Sequence, residues 1–188
     1  SDNYHILNRL GVKTAMPVVW GERKKLAFIT GSFLLTRKLD GIPLAEFLQE
    51  NRDFQTRKEL IYNIASLKRK LHTAHFNYPD YKAKHIYIQE NKEIALLDVD
   101  RLRKFPLFSK TKCIVKELTT LSKTLPSDLF SRTERLRFVK YLLEIDELTP
   151  LARKLIQKVA SRDQDLALGK KWYVRLWRRS FGSKKKGS

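Results

Sequence analysis

NYPDYKAKHIYIQENKEIALLD, residues 77–98, is the stretch whose reading decides the fold. It opens on a proline-stiffened turn carrying Asp80, with Lys82 two positions on and His85 five positions on. The short apolar run Ile86-Tyr87-Ile88 follows, then a polar turn from Gln89 to Lys92, then a second run from Ile94 to Leu97 that delivers Asp98. Two short β-like runs joined by a polar turn predict a hairpin. Such a hairpin holds Asp80, before its first strand, and Asp98, after its second, at the same end. Two carboxylates are thereby expected to converge on one ligand.

Transfer of a phosphoryl group from ATP needs such a convergence. One carboxylate accepts or orients a hydroxyl proton, another group holds Mg²⁺ on the phosphates, and a cation neutralises charge on the transferred group. A plainer reading stands beside this one, because an Asp after Pro is common in turns and an Asp closing a strand is often a cap. The combination with Lys82, His85 and a preceding amphipathic helix favours function.

Upstream of the hairpin, residues 57–72 give the clearest helix. Leu60, Ile61, Ile64, Leu67 and Leu71 recur at steps of three and four, with Lys58, Arg69 and Lys70 outside the stripe. That stripe is core, and its importance is positional, since a buried rigid helix leads straight into the Asp80 loop. His72 and His75 near its end read as C-terminal caps or core groups rather than ligands.

On these residues the chain resembles the lipopolysaccharide kinase family, the Kdo and heptose kinases of Gram-negative bacteria, which have a protein-kinase-like fold. LHTAHFNYPDYKAKHIYI is similar to that family's catalytic loop, in which an Asp is followed five residues later by His rather than Asn. LLDVDR is similar to its metal-Asp segment, and the likeness runs from about residue 4 to about residue 165. Tyr78-Pro79 stands where His-Arg is common, a departure that bears on how the loop packs. The resemblance implies Asp80 as catalytic base, Lys82 as the cation on the γ-phosphate, and His85 and Asp98 as the Mg²⁺-side groups. It implies ATP and Mg²⁺ as cofactors and a sugar hydroxyl of the lipid A core, on Kdo or heptose, as acceptor. A His in the place of Asn is an unusual choice for Mg²⁺, which prefers oxygen.

The 188 residues suffice for a real core. No apolar run reaches the 18 residues expected of a membrane-spanning helix, and no secretory signal opens the chain. The single Cys113 excludes an internal disulfide and suits a reducing cytoplasm. One Cys and four scattered His offer no zinc spacing. Lys and Arg number 39 against 20 Asp and Glu, a net charge of +19. That excess alone supplies only non-specific affinity for nucleic acid, and no nucleic-acid motif accompanies it, so no specific nucleic-acid partner is expected.

Residues 3–10 are spaced as a helix ended by Gly11. A loop leads to Pro17 and an extended segment. Two apolar runs, 25–29 and 32–36, flank Thr30-Gly31 and read as a hairpin turning at that pair. The second run, SFLLT, resembles the strand entering the hinge between kinase lobes, which implies that the main chain at Arg37, Lys38 and Leu39 meets the adenine; an ordinary hairpin is the alternative. Asp40-Gly41 turns the chain and Pro43 opens a helix. Beyond Asp98, Asp100 reads as a partner of Arg101 or Arg103, with a second metal contact as the other option. Three amphipathic helices follow from Ile114 onward, with Ser131, Thr133 and Thr149 as caps.

The expected architecture is α+β: a partial N-lobe and hinge over 1–39, a mostly helical kinase-like C-lobe over 40–169, and a tail over 170–188. The tail holds eight Lys and Arg and no acid, interleaved with Trp172, Tyr173, Leu176, Trp177 and Phe181. An aromatic, basic segment suits the surface of an anionic membrane, here the cytoplasmic face of the inner membrane; packing of those aromatics on the domain is the other reading. The seven Gly, at 11, 21, 31, 41, 169, 182 and 187, make no phosphate-covering loop, and the family register puts the helix Glu just before Ser1. The chain is therefore expected to carry half an active site, either as a partial kinase or as a pseudokinase that binds without transferring phosphate.

Overall fold

The computed structural model describes residues 2–25, 28–106 and 109–162. The chain opens with helix α1 (Asp2–Arg9), ended by Gly11 at a positive φ of 62° that glycine adopts without steric penalty. Strand β1 (Lys13–Thr14) follows, then a ribbon of β2 (Pro17–Lys25) and β3 (Phe28–Thr36), antiparallel to one another. The expected turn at Thr30-Gly31 is not there. Both residues lie inside β3, where the register slips because Arg23 faces Gly31 and Lys24 faces Ile29. Thr30 is left over as a bulge, its hydroxyl donating to the Arg23 carbonyl at 3.1 Å. A glycine within a strand marks a bulge as readily as a turn.

Strand β4 (Ile42–Pro43) leads directly into α2 (Leu44–Glu50). The long helix α3 (Phe54–Thr73) begins at Asp53, whose carboxylate accepts the Thr56 N–H at 2.7 Å. It buries Leu60, Ile61, Ile64 and Leu71, as its spacing predicts, and also three polar residues, Arg57, Lys68 and His72. Strand β5 (Phe76–Asn77), a single 3₁₀ turn (Ala83–His85), β6 (Ile86–Ile88), β7 (Ile94–Leu96) and β8 (Arg103–Lys104) form the region around the Asp80 loop. Helices α4 (Lys110–Thr124), α5 (Arg132–Leu143) and α6 (Pro150–Arg162) complete the described part.

The expected hairpin is present: β6 and β7 are antiparallel, with Ile86 opposite Leu96, Tyr87 opposite Ala95 and Ile88 opposite Ile94. It forms the centre of a four-stranded sheet ordered β1-β7-β6-β4, with β1 parallel to β7. A separate pair joins β5 to β8. One core of buried side chains runs from Tyr4 and Leu7 through α3 and the hairpin to Phe138, Leu142, Leu155 and Val159.

Ser131 caps α5 in a reciprocal box with Glu134, and Thr149 accepts the Ala152 N–H at 3.2 Å. Thr133 does not cap; it sits inside the first turn of α5. Among the described residues, no helix is long and apolar enough to cross a membrane. The basic segment at 170–188 lies outside them.

Candidate active site

Helix α3 stops at Ala74, and His75 takes the left-handed conformation that ends many helices. β5 then pairs with β8, and the Asn77 amide fixes the pairing by donating to the carbonyls of Arg103 and Lys104 at 3.1 and 3.2 Å. The chain turns tightly through Pro79 and Asp80: the Lys82 N–H donates to the Asp80 carbonyl at 2.8 Å and the His85 N–H to the Lys82 carbonyl at 3.0 Å. Leu97, one residue past β7, donates its N–H to the His85 carbonyl at 2.9 Å. That bond places Asp98 next to His85.

The two acids do converge. Asp80, His85 and Asp98 offer ligand atoms that all lie within 4.8 Å of one another. The His85 ring is buried between the carboxylates, with Nδ1 3.5 Å from Asp80 Oδ2 and Nε2 3.7 Å from Asp98 Oδ2. Its Nδ1 also lies 3.1 Å from the Asp80 carbonyl oxygen. In the tautomer with its proton on Nδ1, that proton would serve the carbonyl and Nε2 would be left facing Asp98, able to take a cation. Lys82 Nζ sits 2.6 Å from Asp80 Oδ1. Burial pushes the Asp80 carboxyl up, but the Lys82 hydrogen bond and charge, with His85 and Arg101, outweigh it and hold it below the ordinary value. Asp80 is therefore ionised at neutral pH.

Asp98 stands half exposed with a positive φ of 55°. Asp tolerates the left-handed region better than most residues, and such conformations gather at functional sites. The structure revises the expectation for Asp100, which faces the Tyr4 hydroxyl instead of pairing with Arg101 or Arg103; burial and this nearby acid push the Tyr4 hydroxyl up to about 12. From α1, Asn3 donates to the carbonyls of Val99 and Asp100 at 3.0 and 2.9 Å, pinning the segment that follows Asp98.

Arg37, Lys38 and Leu39 lie in the extended link between β3 and β4, and the Arg37 N–H is committed to the Met16 carbonyl at 2.8 Å. Among the described residues, no hydrogen bond or ion pair joins them to Asp80, His85 or Asp98.

Sequence reading missed a second cluster behind the loop. Glu117, from α4, is wholly buried, with Lys68 Nζ 2.6 Å from Oε1 and His72 Nε2 2.8 Å from Oε2. The Tyr78 N–H donates to the same carboxylate. Tyr78 is itself fully buried, and its hydroxyl reaches the carbonyls of Leu97 at 2.6 Å and Asp98 at 3.0 Å. The signal was present in the helix stripe: Lys68 and His72 follow Ile61 and Ile64 at helical spacing, on the face that faces the core.

A buried helix feeding an Asp loop, followed by a hairpin that returns a second Asp and by a set of helices, defines the catalytic lobe of a protein-kinase-like fold. The chain belongs to the lipopolysaccharide kinase (Kdo/WaaP) family, whose profile matches residues 2–141. Two structures of WbdD, one described as a bifunctional kinase-methyltransferase, are similar at 17% identity with TM-scores of 0.48 and 0.49. They cover 94% of this chain, which spans 39% and 40% of theirs. No curated protein sequence matches the chain.

Proposed function

We propose that the chain carries the catalytic-loop and metal-side groups of an ATP-dependent kinase that phosphorylates a sugar hydroxyl, on Kdo or heptose, of the lipopolysaccharide core. The observation that carries this reading is the convergence of Asp80, His85 and Asp98 beside Lys82. Asp80, buried but ionised, orients the acceptor hydroxyl and takes its proton. Lys82, now on Asp80, is within reach of a transferred phosphoryl group in the same place. Asp98 and His85 Nε2 fit a divalent ion: a carboxylate oxygen and an imidazole nitrogen stand 3.7 Å apart, a gap too long for a hydrogen bond. A Mg²⁺ held there would neutralise charge on the nucleotide phosphates. The main chain at Arg37, Lys38 and Leu39 is proposed to read the adenine, through groups other than the engaged Arg37 N–H. The acceptor belongs to a membrane lipid, so the tail at 170–188 is proposed to hold the protein on the anionic inner-membrane surface.

The test is transfer of phosphate from ATP to lipopolysaccharide core acceptor by the full-length protein. Asp80→Asn is expected to lower kcat by about 10²–10⁴-fold while leaving nucleotide binding largely intact, because a base acts in the transition state. Asp98→Asn is expected to lose metal-dependent nucleotide binding. If neither substitution changes transfer or binding, the acids are turn and strand caps and the kinase reading goes. Nucleotide binding without transfer by the parent would establish a pseudokinase instead.

A further inference from the structure

We infer that the groove between α3 and α5 is a second ligand site and that it takes an anionic sugar. Tyr62 and Arg69 lie about two helical turns apart on α3 and so line one side of it together. Helix α5 and the turn after it form the other side, and an open cavity of about 450 Å³ lies between them. Small-molecule sites run from about 300 to 1,000 Å³. A seam that only packs two helices is lined by apolar side chains. Here Leu136 and Ile145 are the aliphatic members of the described lining, and the rest carry a charge or a hydroxyl. None of them belongs to the Asp80 site, so the chemistry of the groove is independent of the kinase reading.

The donors of the groove are under-used. Arg137 is half-buried, with its guanidinium 5.0 Å over the Phe54 ring. Among the described residues it meets no acid and makes no hydrogen bond, so its five N–H donors remain for a ligand. Arg69 spends one nitrogen, Nη1, on the Tyr141 carbonyl at 2.9 Å and on the Glu144 carboxylate at 3.2 Å. Lys140 Nζ donates to the Asp146 carbonyl, not to a carboxylate. Three cations against the acids Glu144 and Asp146 leave one positive charge in excess. Glu144 ends α5 at a positive φ of 53°, and the Ile145 N–H returns to the Lys140 carbonyl at 3.1 Å. That turn brings both acids into the wall. Tyr62, 49% exposed, meets Tyr141 edge to face at 5.4 Å, and neither phenol is hydrogen-bonded among the described residues. A bare anion gains nothing from the aromatic wall and is repelled by the two acids. A neutral sugar leaves Arg137 without a counter-charge. A sugar bearing phosphate or carboxylate uses everything there: its anion meets Arg137, its hydroxyls both donate to the acids and accept from the phenols, and its C–H face covers the exposed ring.

The experiment titrates the full-length protein, without ATP, with glucose 6-phosphate, glucuronate, glucose and inorganic phosphate, read by calorimetry or ligand-observed NMR. At least one charged sugar is expected to bind about tenfold or more tightly than both glucose and inorganic phosphate, and the tighter of the two identifies the anion as phosphate or carboxylate. Arg137→Gln is expected to weaken that binding about 10–100-fold, the range for hydrogen bonds to a charged group. Tyr62→Ala, at an exposed ring, is expected to narrow the gap between the charged sugar and inorganic phosphate. Thermal transitions check that both variants fold, and if Arg137→Gln does not, Tyr62→Ala decides alone. Charged sugars that bind no better than glucose or inorganic phosphate overturn the inference, and so does parental affinity in either folded variant. If the parent transfers no phosphate in any assay, the kinase reading has failed, and the titration still decides what the groove holds.

Discussion

Replacing Lys68 alone by Met should reverse the sign of the pH dependence of stability. In the parent, Lys68 and Glu117 are both wholly buried and in contact, so removing the ammonium strands a carboxylate. Breaking a buried pair from one side costs about 3–5 kcal/mol. For a chain of this size each kcal/mol moves Tm by about 2–4 °C, which gives a fall of roughly 6–20 °C at pH 8. The remaining titratable partner of Glu117 is His72. In the parent its proton affinity is depressed, by burial first and by the nearby Lys68 charge, against the pull of Glu117. A His depressed below its ordinary value of 6.5 binds a proton more readily in the unfolded chain. Parental stability therefore declines as pH drops below that value.

In Lys68→Met the Lys68 charge is gone, and His72 is the side chain left to take up a charge beside Glu117, with the neutral Tyr78 N–H still donating to it. The imidazole is then expected to hold its proton more tightly folded than unfolded. Its contribution is fully present below the unfolded value and disappears as pH rises through the folded one. Each tenfold gain in its proton affinity restores about 1.4 kcal/mol at low pH. The groups around the pair, Lys110 and Phe105 beside His72 and Tyr81 beside Lys68, are unchanged. Urea unfolding at pH 5.5 and pH 8 measures both slopes. Parent and variant that both lose stability on acidification to pH 5.5 would refute the pairing of His72 with an ionised Glu117.

Arg57→Met should destabilise by about 3–5 kcal/mol, because the buried guanidinium pairs with Glu134 at 2.6 Å and donates to the carbonyls of Leu48, Asn51 and Leu129; chemical denaturation measures it. Gly41→Ala should cost about 2 kcal/mol or more, since Gly41 has φ of 106° and an added Cβ meets the Ile88 carbonyl. A melting temperature within a degree or two of the parent would contradict that strain. Deleting 170–188 should weaken co-sedimentation with anionic vesicles at low salt, and equal sedimentation of the truncated protein would remove the tail from membrane binding.

Much of the fold was legible because it is local. The α3 stripe, the turn at Gln89–Lys92 and the capped helices after Ile114 each state their structure within a dozen residues, and the hairpin carries Asp80 and Asp98 to one end by its own geometry. What the sequence could not state was pairing at long range. The Thr30-Gly31 pair has the composition of a turn, and only the register with β2 makes it a bulge. Asp100 has two arginines for neighbours, yet it faces a tyrosine from the first helix. Lys68 was a signal left unread. A lysine on the apolar face of a buried helix requires an acid from elsewhere in the chain, and that acid lies on another helix 49 positions away by number, at Glu117.

The substitution of Tyr78 for the His common at that place gains its meaning from the same long-range contacts. A residue there must connect a peptide fixed from behind to a strand end in front. A phenol is long enough to cross that distance and carries one donor at its tip. Burial and the negative charges of Asp98 and Asp80 raise its proton affinity, so the hydroxyl keeps its hydrogen and remains a donor to Leu97 and Asp98. His85 cannot do this work, because its Nδ1 is turned to the Asp80 carbonyl and its Nε2 faces outward to Asp98. The division is chemical: Tyr78 supplies a permanent donor that joins the two arms, and His85 stands between the two acids with Nδ1 toward Asp80 and Nε2 toward Asp98.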